Sequence, residues 1–293
     1  MHAMTVGCRV YLLCEKLKIP KALHRFPVAK RPLTRLLRYL LPNRPIWVQV
    51  RSGFAAGLWM RLRLRTESRL WLGQHEPLLQ AYLVEMIRPG IVLYDIGAHV
   101  GSIALGLARS VRLSGGRVVA FEADPENAET LSENRDRNGL AMSLEIVPFA
   151  VWSSSSTDIS FRQGGAKKSH GGVEAGGFRS VLGNGGLIAV PATTLDDFIA
   201  NGGPIPHLVK IDVEGGEFEV LRGSEQLFTR HQPLLVAEVH HQVAEREIRS
   251  WLEKNKYSSC WIAPPEQYPC SVYAWPAGFP NAENWSRKLA ELR

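Results

Sequence analysis

The stretch Ile91–Ala104, IVLYDIGAHVGSIA, decides how the chain reads. A short apolar run stops at Asp95, and Gly97 and Gly101 follow at a spacing of four. An apolar run of this length bounded by glycine predicts a buried strand, a tight turn and the start of a helix. Glycine lets backbone pass close to a neighbour, and the first turn of a helix offers N–H groups with no intrahelical partner. A nucleotide-like ligand is expected there.

The flanking residues choose among nucleotides. G-x-G-x-x-G would announce a dinucleotide and G-x-x-x-x-G-K-[ST] a phosphate loop; here the first position is Asp95 and no lysine follows Gly101. A carboxylate at the strand end repels phosphate but suits an ammonium, which points to an amino-acid-bearing nucleoside such as S-adenosylmethionine. After Arg117, VVAFEADP ends a second apolar run at Glu122, where a carboxylate can accept both ribose hydroxyls. S-adenosylmethionine is therefore the expected cofactor, with Asp95, Gly97, Gly101 and Glu122 around it.

At 293 residues with 45% hydrophobic content, the chain is long enough for one large or two modest globular domains. Cys8, Cys14, Cys260 and Cys270 form no C-x-x-C pair, so reduced structural cysteines are expected rather than a disulfide framework or a zinc site. With neither a run of about 18 apolar residues nor a signal-peptide pattern, a cytoplasmic protein is expected. The net charge of +7 is uneven: residues 1 to 75 hold 15 Lys and Arg against 2 Glu, and the rest hold 20 against 26 acids. The basic front is a solvated face or a surface for an anionic partner, either a membrane, nucleic acid or an acidic substrate.

Prolines at 20, 27, 32, 42 and 45 break residues 1 to 45 into helical pieces, Val10–Leu17 and Leu33–Leu41, the second with Arg35 and Arg38 off its apolar face. Ile46–Val50 and Trp59–Arg65 alternate by twos and predict a hairpin, with Met60, Leu62 and Leu64 inward and Arg61, Arg63 and Arg65 as an outward basic row. This front is taken as an extension over residues 1–70, with a catalytic domain over 71–293. A helix is expected over Glu76–Ile87. Beyond the glycine turn, helices at Ser102–Arg112 and from Asp124-Pro125 alternate with strands at Val118–Glu122, Leu144–Val147 and its continuation Phe149–Trp152. That rhythm implies an α/β fold with a mostly parallel sheet covered on both faces. A glycine-rich loop at 162–186, containing Lys167, Lys168 and His170, interrupts it.

LIAVPATTLDDFIA then predicts a strand and a capped helix. The apolar strand of PHLVKIDVEGGEFEVL ends in Lys210, Asp212 and Glu214, with a helix starting near Glu217. PLLVAEVHH is a strand ending in Glu238, His240 and His241, and Tyr257–Ile262 with Ser271–Trp275 predict an antiparallel edge hairpin. In open parallel sheets the ligand site lies off the carboxyl ends of strands, so chemistry is expected at these ionisable ends.

Over residues 70 to 275 the chain resembles the FkbM family of S-adenosylmethionine-dependent methyltransferases. The resemblance rests on WLGQHE, VLYDIGAHVGSIA, VVAFEADPEN, VPATTLDDFI, LVKIDVEGGEFEVLRG and LLVAEVH in that order, of which KIDVEGGE is the most specific. It implies a class I methyltransferase fold, a Rossmann-like seven-stranded sheet, and methyl transfer to an oxygen of a sugar, polyketide or similar product. It adds Glu76, Ala98, His99 and Ala123, together with Ala150 beside the third strand, to the expected cofactor contacts. His99 departs from the asparagine usual at its place in the family, which leaves backbone contacts open and puts side-chain contacts in doubt.

Methyl transfer from a sulfonium is an in-line displacement, so the protein must align two atoms and make the acceptor oxygen nucleophilic. His240 is the candidate general base, preferred to His241 because it falls within the resembling stretch, with Asp212, Glu214, Glu238 and Lys210 as its neighbours in the expected catalytic set. Asp212, Glu214 and Glu238 could instead hold a hard cation, though no metal is favoured. An O-methyltransferase acting on a small molecule or glycan is thus expected, with peripheral attachment of the basic front to an anionic membrane. An RNA methyltransferase is the alternative, opposed by the absence of N-P-P-Y and of an RNA module; a non-catalytic binding protein is a further one, opposed by the intact acidic set.

Overall fold

A computed structural model describes residues 8–11, 13, 39–155, 158–162, 172–173, 186–262, 268–280 and 282–291. It divides into two compact units, Met1–Pro77 and Leu78–Arg293.

In the first unit, β1 (Ile46–Gln49) and β2 (Trp59–Leu62) form the expected antiparallel hairpin, Val48 facing Met60 across it. The predicted strand over 59–65 is too long. Arg63 caps helix α1 (Leu64–Leu72), and the buried Glu67 carboxylate accepts the Arg63 N–H at 2.6 Å. Closing the first helical turn in this way satisfies a donor that a strand would have given to a partner. Leu64 is buried as expected, because it fits both the two-residue pattern of the strand and the helical pattern that follows. Arg65 therefore leaves the basic row: its guanidinium donates to the carbonyls of Tyr39 and Leu41 and stacks over the Tyr39 ring. Arg35 and Arg38 lie outside the described residues, as does Cys14. Among the described residues Cys8, Cys260 and Cys270 are buried and form no disulfide, and no helix is long and apolar enough to cross a membrane.

The second unit begins inside α2 (Pro77–Met86), whose first residue closes the first unit, and runs through β3 (Val92–Ile96), α3 (Ser102–Val111), β4 (Arg117–Phe121), α4 (Pro125–Arg137), β5 (Leu144–Val147), β6 (Ala150–Val151), β7 (Asp158–Arg162), β8 (Gly172–Val173) and β9 (Leu187–Thr193). It continues through α5 (Leu195–Ala200), β10 (Leu208–Ile211), α6 (Glu217–Arg222), α7 (Glu225–Arg230), β11 (Leu234–Val239), α8 (Gln242–Lys254), β12 (Tyr257–Ile262), β13 (Cys270–Pro276) and α9 (Ala282–Ala290). Seven strands form the main sheet in the order β12-β13-β11-β10-β3-β4-β5, parallel except for β13, which runs antiparallel to β11 and β12. This is the mostly parallel sheet and edge hairpin that the sequence predicts.

Alternation along the strands sorts the side chains. Tyr94, Ile96, Val119, Phe121, Val209 and Ile211 join residues of α5 to α8 in one buried cluster. The intervening Leu93, Val118, Ala120 and Leu208, also buried, serve the opposite face, where α3 packs on β4. Asp95 and Lys210, aligned in register on neighbouring strands, project to this second face. The chain leaves β3 toward β4 and β5 and returns beside β3 as β10, so the sheet has its switch point between the ends of β3 and β10.

Two expectations change. The continuation of the third strand, β6, pairs in parallel with β9 in a separate sheet ordered β6-β9-β7-β8. The stretch 162–186 also contributes β8, whose Val173 faces Phe161 of β7. Lys167, Lys168 and His170 lie outside the described residues.

Candidate active site

The turn after β3 is tied to the end of β4. Gly97 and Ala98 donate their N–H groups to the Phe121 carbonyl at 2.9 and 3.0 Å. Gly97 has φ 78° and Gly101 φ 93°. A Cβ on Gly97 would stand 1.8 Å from the Asp212 carbonyl oxygen, and one on Gly101 2.2 Å from Leu131 Cδ1. The two glycines are thus required by the protein's own packing, not only by room for a ligand. His99 has φ 52°, a left-handed conformation in which asparagine and histidine are both enriched. Its backbone N–H donates to Glu122 Oε2 at 2.7 Å, so the anchoring contact does not depend on the side chain.

Glu122 receives one backbone N–H on each oxygen, from His99 and, at 2.8 Å, from Asp124. Burial pushes its carboxyl up to about 7, against the pull of the Asp124 and His99 bonds. Asp124 in turn caps α4 by accepting the Glu126 N–H, so the element that follows β4 fixes the carboxylate's surroundings. Ala123 and Ala150 meet in the small apolar cluster formed with Ile159, Phe161, Val190 and Ala192. Glu76 belongs to the first unit, where it has φ 44° and its Oε2 lies 3.6 Å from His75 Nε2.

Asp95 is fully buried, and Lys210 Nζ stands 3.0 Å from its Oδ1. The same ammonium lies 3.5 Å from Asp212 Oδ2 and 3.5 Å from the Gly97 carbonyl. Lys210 is therefore spent on the protein's own acids, stitching the turn to the loop after β10. Asp95 Oδ2 is buried with no hydrogen-bonding partner among the described residues, so Lys210 is the countercharge on which this carboxylate depends.

His240 follows β11 and is ringed by acids. Its Nδ1 is 2.8 Å from Glu217 Oε1, and its Nε2 is 3.4 Å from Glu214 Oε2 and 3.8 Å from Asp212 Oδ1. Burial opposes a charge on the ring, but the Glu217 hydrogen bond and the charges of Glu217, Asp212 and Glu214 outweigh it and push His240 up to about 10. Burial also pushes the Glu214 carboxyl up to about 7, partly offset by His240. Glu238, Asp212 and His240 bring one donor atom each within 4.8 Å of one another. The grouping by itself assigns no metal, because acidic groups commonly gather without one. His241 serves the fold: its Nδ1 accepts the Ala244 N–H as cap of α8, and its Nε2 meets the Gly215 carbonyl at 3.1 Å.

Glu217 is the residue that sequence reasoning passed over as a helix start. It is fully buried, and its Oε1 also accepts the Gly215 N–H at 2.8 Å. The available signal was its place as the last acid of KIDVEGGE, the most specific stretch in the chain.

The sequence model described as Methyltransferase FkbM domain matches residues 95–259, from Asp95 within β3 to the middle of β12. The chain belongs to the FkbM methyltransferase family. A hexuronic acid methyltransferase of Haloferax volcanii, AglP, is 28% identical over 214 residues, 71% of this FkbM-family chain and 80% of that protein. A ribosomal protein L11 methyltransferase of Pelotomaculum thermopropionicum is 38% identical over 65 residues, 22% of this chain and 20% of that one. Among solved structures, methyltransferase FkbM from Methylobacillus flagellatus aligns with a TM-score of 0.46 at 16% identity, covering 72% of this chain. This chain spans 48% of the length of that protein.

Proposed function

We propose that this methyltransferase moves the methyl group of S-adenosylmethionine to a hydroxyl of a sugar, with acidic sugars as the first acceptors to try. The observation that carries the reading is that Glu122, its carboxylate aimed by two backbone N–H groups, and the acid-ringed His240 both stand off carboxyl ends of strands in the main sheet, β4 and β11, on either side of the switch point between β3 and β10. The similarity to a hexuronic acid methyltransferase supports the acceptor class. Bound S-adenosylmethionine supplies an electrophilic sulfonium methyl. Glu122 would accept from the ribose hydroxyls, while Asp212 and Glu238 accept from hydroxyls of a polyol acceptor. The test is transfer of labelled methyl to uronic acids, neutral sugars, lipid-linked glycans and total RNA. Label appearing only in RNA, or in none of them, rejects the reading.

The Glu122 assignment has a pH signature. Raised to about 7, the free protein's carboxyl is protonated below that pH and loses an acceptor for the ribose. Cofactor affinity should therefore rise with pH up to about 7 and flatten above it, with a difference of roughly tenfold per unit below the pKa. Glu122→Ala should weaken binding by about 1.5–3 kcal/mol and remove the step. Calorimetry at pH 6 and pH 8 giving equal affinities for both proteins would discard the ribose role.

A further inference from the structure

We propose that Glu214, not His240, takes the proton from the acceptor hydroxyl, and that Glu217 is the positioning residue that makes His240 a fixed donor instead of a base. The proposal rests on transfer to a hydroxyl as read above, and it assigns the proton's path within that reaction.

The argument starts from the two ring nitrogens. A carboxylate only accepts hydrogen bonds, so Glu217 Oε1 at 2.8 Å requires a hydrogen on His240 Nδ1. Glu217 cannot turn away easily, since it is fully buried and the same oxygen holds the Gly215 N–H. On the other side of the ring, Nε2 faces Glu214 Oε2 at 3.4 Å and Asp212 Oδ1 at 3.8 Å. A lone pair aimed at two carboxylate oxygens is repelled, whereas an N–H is attracted. Both nitrogens therefore carry hydrogen, and the ring has no lone pair for a substrate proton. The elevated pKa of His240 agrees with this geometry.

The charged groups around the ring come from several elements: Asp212 and Glu214 from the loop after β10, Glu217 from α6 and Glu238 from β11, with Lys210 of β10 behind Asp212. Among the acids, Asp212 is held between two basic groups, with the Lys210 ammonium at 3.5 Å and His240 at 3.8 Å. Glu217 is committed to Nδ1. Glu214 is partly exposed and sits on the loop whose Asp212 carbonyl packs against Gly97. Its carboxyl, near 7, is matched to proton transfer at neutral pH.

The step balances as follows. The acceptor O–H bond breaks and its proton goes to the Glu214 carboxylate. The oxygen's electron pair forms the new bond to the methyl carbon as the methyl–sulfur bond breaks, its pair staying on sulfur as a neutral thioether. The Glu214 acid then returns the proton to water.

Two measurements decide it, one independent of activity. Nitrogen-15 NMR of the full chain should show both His240 nitrogens protonated from pH 6 to 9, and Glu217→Gln should lower the midpoint by more than one unit. A wild-type midpoint below 7.5, or no change in Glu217→Gln, overturns the proposal. So does stoichiometric Mn²⁺ binding lost in His240→Asn, since ligation needs the Nε2 lone pair. In methyl transfer, Glu214→Gln should lower kcat by roughly 10²- to 10⁴-fold with cofactor affinity kept within about twofold. His240→Asn should shift the acid limb of the rate profile to higher pH, because removing the cation raises the pKa of Glu214, while costing less than about tenfold at the plateau. A loss at every pH in His240→Asn, with Glu214→Gln active, restores His240 as the base. If Glu217→Gln does not fold, the wild-type titration and the Glu214→Gln rate still decide. If the wild type methylates no hydroxyl, the acceptor reading fails at that step and the titration alone judges the donor arrangement.

Discussion

Lys210→Met is expected to destabilise the catalytic unit by about 3–5 kcal/mol, the range for removing one partner of a buried ion pair. The reason is Asp95. It has no exposure, its Oδ1 depends on the Lys210 ammonium at 3.0 Å, and its Oδ2 has no hydrogen-bonding partner among the described residues. Methionine fills the aliphatic volume but leaves the carboxylate with no countercharge in a site that water does not reach. For a domain of this size the change corresponds to a melting temperature lower by about 2–4 °C per kcal/mol. Adding Asp95→Asn should return part of the loss, since an amide costs far less to bury than a lone charge. Chemical denaturation of the single and double variants checks both statements. A single-variant loss below about 1 kcal/mol would mean that the pair is no stronger than a surface ion pair.

How much of this could be read beforehand depended on the range of the interaction. The strands at Val92–Ile96, Leu208–Ile211 and Leu234–Val239 are apolar runs bounded by glycine, proline or charge, and their alternation with helices implies a parallel sheet with its site at the strand ends. The cap at Asp124 is equally local, fixed by Asp-Pro at a helix start. The second sheet escaped notice because β6 has two residues and β7 lies in a polar, serine-rich segment. Pairing between Asp158–Arg162 and Leu187–Thr193 is long-range, and periodicity cannot report it. The hairpin's end was misplaced because Leu64 satisfies two periods at once, and the buried Glu67 that selects the helix looks like any surface acid in the sequence.

The site shows the same division. That acids and His240 gather at the ends of β10 and β11 follows from strand order. The state of His240 does not, because it is set by Glu217 and by two acids of the preceding loop, brought together only by the fold. An unperturbed imidazole titrates near 6.5, and reading His240 as a base relied on that value. Three carboxylates within 4 Å push the ring's pKa well above that value, and it is on this geometry that the proposal of Glu214 as base rests.

Gly97→Ala should be as damaging as the loss of Lys210, and for a reason that no local rule contains. At φ 78° an alanine pays the left-handed cost of about 1–2 kcal/mol. Its Cβ would also lie 1.8 Å from the Asp212 carbonyl oxygen and 2.8 Å from the carbonyl carbon, both rigid backbone atoms. The segments cannot simply part, because the Asp212 N–H donates to the Ile96 carbonyl at 2.9 Å, one residue before the glycine. Relief requires moving either the turn that presents His99 N–H to Glu122 or the loop that carries Asp212 and Glu214, so cofactor binding and turnover should both fall. Overpacking adds about 1–3 kcal/mol to the left-handed cost, for an expected loss of roughly 2–5 kcal/mol. Gly139→Ala supplies the control: its φ is 63°, and a Cβ there meets nothing within 4 Å, so only the left-handed cost applies. Denaturation midpoints that fall equally for the two variants would show that the turn and the loop are not in contact, and the coupling argued between the cofactor turn and the Glu214 loop would fail with it.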